Sequence, residues 1–140
     1  MRFRMGWRMA RRRLAVLGLF VLLATALAQA HHSFAAEFDA SQPITVHGTI
    51  TQVRLENPHS WFFLEAAGAD GQTTKWSFEA STPTSLIRSG IKPGFIKAGD
   101  QVTIKGYHAR DATANVGAAR ELVTADGRSF AVGPAFSPAR

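Results

Sequence analysis

Cysteine is absent from these 140 residues. No disulfide, thiolate metal centre or catalytic thiol can form, so a small secreted domain of this sequence must rely on its core or on a partner. A surplus of basic charge is also missing where it would count. The formal net charge is +6 and the sequence pI near 10.8. Yet six of the 16 basic residues are arginines ahead of His31, where no acidic residue lies, and the remaining ten Lys and Arg face ten Asp and Glu. Nucleic-acid binding needs a basic face that displaces counterions from phosphates, and residues 31–140 have no such excess. Long apolar runs are lacking too. The longest, Leu14 to Leu27, is short of the roughly 20 residues a membrane-spanning helix requires. There is no glycine-rich phosphate loop, HExxH helix or EF-hand pattern, and no internal repeat.

What is present begins with an export signal. Arg2, Arg4, Arg8 and Arg11 to Arg13 form a basic n-region, Leu14 to Leu27 the apolar stretch, and Ala28 and Ala30 the small residues before a cleavage point. The expected cut follows Ala30, so that residues 1–30 are removed and no stable membrane span remains. A cut after Ala28 also satisfies the small-x-small rule, through Ala26. The arginine run invites a twin-arginine route, but Ala10 stands where Ser or Thr would be expected. A cysteine-free exported domain fits a bacterial periplasm.

Residues 31–42 read as an arm carrying Phe34 and Phe38, followed by one domain over 43–132 and a disordered Gly/Pro/Ser tail over 133–140. Ile44, Val46 and Ile50 alternate on one parity and Val53 and Leu55 on the other. That predicts a half-buried strand with a bulge near Thr51-Gln52. Asn57-Pro58 breaks the run, and His59 to Ala66 and Lys75 to Ala80 predict the next two strands. Ser81-Thr82-Pro83 reads as a helix start and Gly90 as its end. Gln101 to His108 and Arg120 to Thr124 complete the strands, with Asp111 to Gly117 as a loop and a weaker strand at Ser129 to Val132. Three strands, a helix and two strands in about 100 residues predict an all-β fold with one short helix, a small OB-like five-stranded barrel. An antiparallel β-sandwich is the alternative.

Several segments resemble a family of small exported bacterial proteins of unassigned function. They are His31-His32-Ser33-Phe34, Gly48-Thr49-Ile50, Asn57-Pro58-His59-Ser60-Trp61, Trp76-Ser77-Phe78-Glu79, Leu86 to Gly90, and Gly99 to Gly106. The resemblance implies a one-domain exported protein and carries no activity with it.

The candidate chemistry therefore rests on residues. A cut after Ala30 gives His31 a free amine beside its own imidazole. The amine has a pKa near 7.7–8.0, so copper can displace its proton near neutral pH. One further imidazole completes a three-nitrogen, roughly planar Cu(II) site. A cut after Ala28 instead places His31 third in an amine–amide–amide–imidazole pattern. The metal candidates are His31, His59 and His32. Pro58 fixes the backbone next to His59, and an arm of about 12 residues can reach roughly 40 Å, far enough for His31 to meet it. Asn57, Trp61 and Tyr107 are candidates for a ligand face that grips a small ligand or protein partner without metal. The competing reading has His59 bonded to a backbone carbonyl and Trp61 filling the core. His47 and His108 read as surface residues, and Glu65 and Glu79 as exposed strand carboxylates. No nucleophile–base arrangement stands out, so a non-enzymatic binding protein is expected.

Overall fold

A computed structural model describes residues 36–133 apart from residue 69. The expected signal, His31, His32 and the tail beyond Gly133 lie outside the described residues. The elements are β1 (Phe38–Arg54), β2 (Trp61–Ala67), β3 (Thr73–Glu79), α1 (Pro83–Arg88), β4 (Gln101–Ala109), β5 (Val116–Thr124) and β6 (Ser129–Ala131). They form a six-stranded sheet in the order β3-β2-β1-β4-β5-β6. Neighbours are antiparallel, and a parallel pairing of β3 with β5 joins the sheet back on itself. The hydrogen bonds thus ring through five strands, β1-β2-β3-β5-β4, without making a formal barrel. Strand order and helix position are those of an OB-type fold, as expected; a two-sheet sandwich is excluded by the continuous pairing.

The long first strand makes the ring possible. Its first part pairs with β4, from Phe38 opposite Ala109 to Thr49 opposite Gln101. Its second part pairs with β2, and the register slips between Ile50 and Gln52. That slip is the expected bulge. It moves the buried parity from Val46 and Ile50 to Val53, so that one strand serves both halves of the ring. β1 also starts earlier than residue 43. Phe38 is buried at the far end of the strand, which draws Phe38 to Gln42 out of the arm and into the sheet.

Inside the ring, Val46, Ile50, Phe62, Leu64, Phe78, Ile104 and Leu122 make the core, closed from one side by Leu86, Ile91, Ile96 and Val132. The helix contributes through Leu86. Thr82 caps it, accepting a hydrogen bond from the Ser85 N–H at 3.3 Å, with Pro83 in its first turn.

β5 begins at Val116 rather than Arg120. Gly117, the end of the expected loop, and Ala118 and Ala119, which carry no apolar alternation, are all buried. At the glycines, smallness is a packing requirement. A Cβ on Gly117 would lie 2.7 Å from the Phe78 ring, and one on Gly106 would lie 1.9 Å from the Ala118 carbonyl oxygen. The strands approach too closely there for side chains.

Candidate functional site

The turn between β1 and β2 places the candidate residues. Asn57 and Pro58 are exposed, and the peptide between them is cis. The chain then delivers His59 to the surface and Ser60 to the interior. Ser60 is held on both sides: its N–H donates to the Ser81 carbonyl at 3.1 Å and its carbonyl accepts from the Ala80 N–H at 2.8 Å. Ser81 in turn donates to the Val132 carbonyl at 2.8 Å. His59 is therefore anchored by its neighbour to the end of β3 and the start of α1. The buried Ser60 hydroxyl has no hydrogen-bond partner among the described residues.

His59 Nδ1 lies 2.5 Å from Oε1 of Glu79, with the imidazole side chain 47% exposed and the carboxylate side chain 16% exposed. The contrast matters. The ring stays open to the surroundings, while the carboxylate that lies against it is mostly withdrawn from water. Burial pushes the Glu79 carboxyl above the usual carboxylate range; the His59 charge pulls it down, and the charge of Glu37 adds to the rise. Glu79 is thus not the exposed strand carboxylate that its parity suggests. It stands opposite Trp61 on one side and Ala118 on the other, and the β3–β5 pairing buries it. Glu65 does remain a surface residue, 3.9 Å from Lys75 Nζ.

Trp61 does not fill the core. Phe62 and Leu64 point inward, so Trp61, Phe63 and Glu65 share the outward face of β2. Trp61 and Phe63 stack with ring centroids 6.3 Å apart and planes 23° from parallel. The Arg54 guanidinium lies 4.9 Å from the Phe63 centroid. Neither ring joins the hydrophobic cluster, whereas Trp76 packs against it.

Tyr107, on β4, is opposite Pro43 and Ala118. Ala118 is in turn opposite Glu79, and Glu79 opposite Trp61, so one cross-strand row runs from Tyr107 to Trp61 through the β3–β5 closure. His108 is half-buried. It meets Trp76 edge-on at 5.5 Å and donates from Nδ1 to the Ala109 carbonyl at 2.8 Å, which makes it a structural residue rather than a free surface one. His47 is exposed, as expected, and its Nδ1 lies 2.7 Å from Thr103 Oγ1. It borders an open groove of about 770 Å³ lined also by Thr49, Glu65, Thr73 and Gln101. Among the described residues no group of three His, Asp or Glu side chains could hold a metal ion.

These features set the chain beside its relatives. A model described as a family of unknown function (DUF6152) matches residues 19–118. The chain belongs to the DUF6152 family. The match reaches from the apolar stretch Leu14 to Leu27 into β5, so it includes the Asn57 to Trp61 segment and Glu79. No curated protein and no solved structure matches the chain.

Proposed function

We propose that this DUF6152 protein is an exported, non-catalytic binding protein that takes up Cu(II) through His31 and His59. The observation that supports this is the pairing of His59 with Glu79. A histidine that ligates a metal characteristically donates its other ring N–H to a carboxylate, which fixes the tautomer and raises ligand basicity. His59 has that partner at Nδ1 and so offers Nε2 as the ligand. One imidazole does not make a copper site. The free amine and ring of His31, exposed by cleavage after Ala30, supply two more nitrogens, and His32 stands next in line. Three nitrogens in a plane suit Cu(II) better than other common divalent metals.

The test is Cu(II) titration by calorimetry and EPR on protein that starts at His31. Placing one extra residue before His31 is expected to weaken binding most. His59→Ala weakens it next, Glu79→Gln by about tenfold through the lost orientation of the ring, and His47→Ala leaves it unchanged. Equal affinity for native and extended termini would overturn the proposal.

A further inference from the structure

The outward face of β2 carries an arrangement that reaches beyond the His59–Glu79 pair. Trp61 lies between Arg54 on β1 and Glu79 on β3, directly opposite both. One step along, Phe63 lies between Gln52 and Ser77 in the same way. Each row has an aromatic ring at its centre and a hydrogen-bonding side chain on either side. Two residues of strand separate the rows, about 6.6 Å, and the two rings lie nearly parallel. The charges along these rows are compensated in place. Arg54 is 3.6 Å from Glu56, and Glu79 is 2.5 Å from His59.

We propose that this face is a carbohydrate-binding site that takes a short neutral oligosaccharide, with one sugar ring over the Trp61 indole. A pyranose has an apolar face of C–H bonds, weakly positive, which suits the negative face of an aromatic ring. Its edges carry hydroxyls that both donate and accept. Arg54 is a pure donor and Glu79 an acceptor while ionised, so a sugar over Trp61 meets complementary groups on its two sides. Phe63 lies under the Arg54 guanidinium and stacks with Trp61, so it steadies the donor next to the sugar site. Charge decides against a nucleic-acid strand as the occupant. Such a strand brings a phosphate with every base and calls for uncompensated cations, which these rows do not offer. The face formed by strands 2 and 3 is also where OB-type folds hold oligosaccharides, an analogy of fold alone.

Cellotetraose and chitotetraose, titrated into the mature protein with chelator present throughout, test the site independently of copper. Tryptophan fluorescence and calorimetry are the readouts. Saturable binding of at least one tetrasaccharide is expected, weakened about tenfold by Trp61→Ala and less by Gln52→Ala or Ser77→Ala. Far-UV circular dichroism checks that the variants fold. Should Trp61→Ala fail to fold, Trp61→Phe replaces it, and an affinity between wild type and no binding is expected. Absence of binding by both sugars, or wild-type affinity in the Trp61 variant that folds, would overturn the proposal. So would salt-sensitive binding of oligothymidylate tighter than that of either sugar.

Discussion

β2 has two faces built from the same kind of residue and put to different uses. Phe62 and Leu64 point into the ring and are fully buried, packed against Ile50, Phe78 and Ile104. Trp61 and Phe63 alternate with them, equally apolar, yet lie outside the cluster among Arg54, Gln52, Ser77 and Glu79. Hydrophobicity alone does not mark a core residue. On a strand, position relative to the pleat assigns the role, and a large aromatic on the wrong side of the pleat is surface committed to something other than folding.

The sharpest way to break this contrast is to shorten one residue on each face. Phe62→Ala removes a ring with no solvent exposure and is expected to cost about 3–5 kcal/mol. Trp61→Ala, although it deletes the larger side chain, is expected to cost less, about 1–3 kcal/mol, since the ring is only half-buried and its contact with Phe63 adds a part of that. Urea denaturation of the two variants measures both. A larger loss for Trp61→Ala would place it in the core after all.

The next effect lies in the pH dependence of stability. Glu79 holds its proton more tightly folded than unfolded, because burial raises its pKa above 4.5. Between 4.5 and that raised value the folded state binds more protons than the unfolded one. Stability therefore falls as pH rises through this window. In Glu79→Gln that decline is expected to vanish from the urea midpoint measured against pH. Glu65→Gln, on the same outer surface but with a more open side chain, is expected to leave it in place.

The smallest effect concerns a carboxylate of the opposite kind. Asp39, at the start of β1, accepts hydrogen bonds from the Ser41 hydroxyl at 2.7 Å, the Gln42 amide at 2.9 Å and the Ser41 N–H at 2.9 Å. These hold its pKa down to about 2 from 3.8, led by the Ser41 hydroxyl. Here the unfolded state binds protons first, so stability present above 3.8 is lost as pH falls towards 2. Asp39→Asn is expected to flatten that part of the acid limb slightly, since the group is exposed. A steeper acid limb in the variant would contradict the assignment.

How much of this the amino-acid pattern discloses depends on whether a feature is periodic. The bulge in β1, the strands β3 and β4, and the capped helix are all written in alternation or in Ser-Thr-Pro and Gly signals, and the ring order follows from their sequence. The start of β5 is not, because Gly117, Ala118 and Ala119 carry no apolar period, and Gly117 is there for the room it leaves to Phe78. Trp61 was ambiguous because four apolar residues in a row, Trp61 to Leu64, have no parity of their own. Glu65 does settle it: it shares the parity of Trp61 and Phe63, so those two face outward with it. The burial of Glu79 had no local signal at all. It arises where β3 meets β5, strands almost 40 residues apart, whereas the pairing with His59 comes from the β2–β3 register that sets Trp61 opposite Glu79.

That meeting is the narrowest line in the ring. Three residue pairs, Ser77 with Val116, Phe78 with Gly117 and Glu79 with Ala118, join β3 to β5, where every other line of the ring has at least five. Breathing motions that leave most of the ladder intact open a fold along its shortest zip. Glu79 is the last tooth of this one. Each time the zip parts there, the carboxylate gains water and its proton affinity relaxes towards that of a free side chain, while the β2–β3 ladder keeps it beside His59. The raised proton affinity of Glu79 is therefore only as durable as three pairs of backbone on its far side.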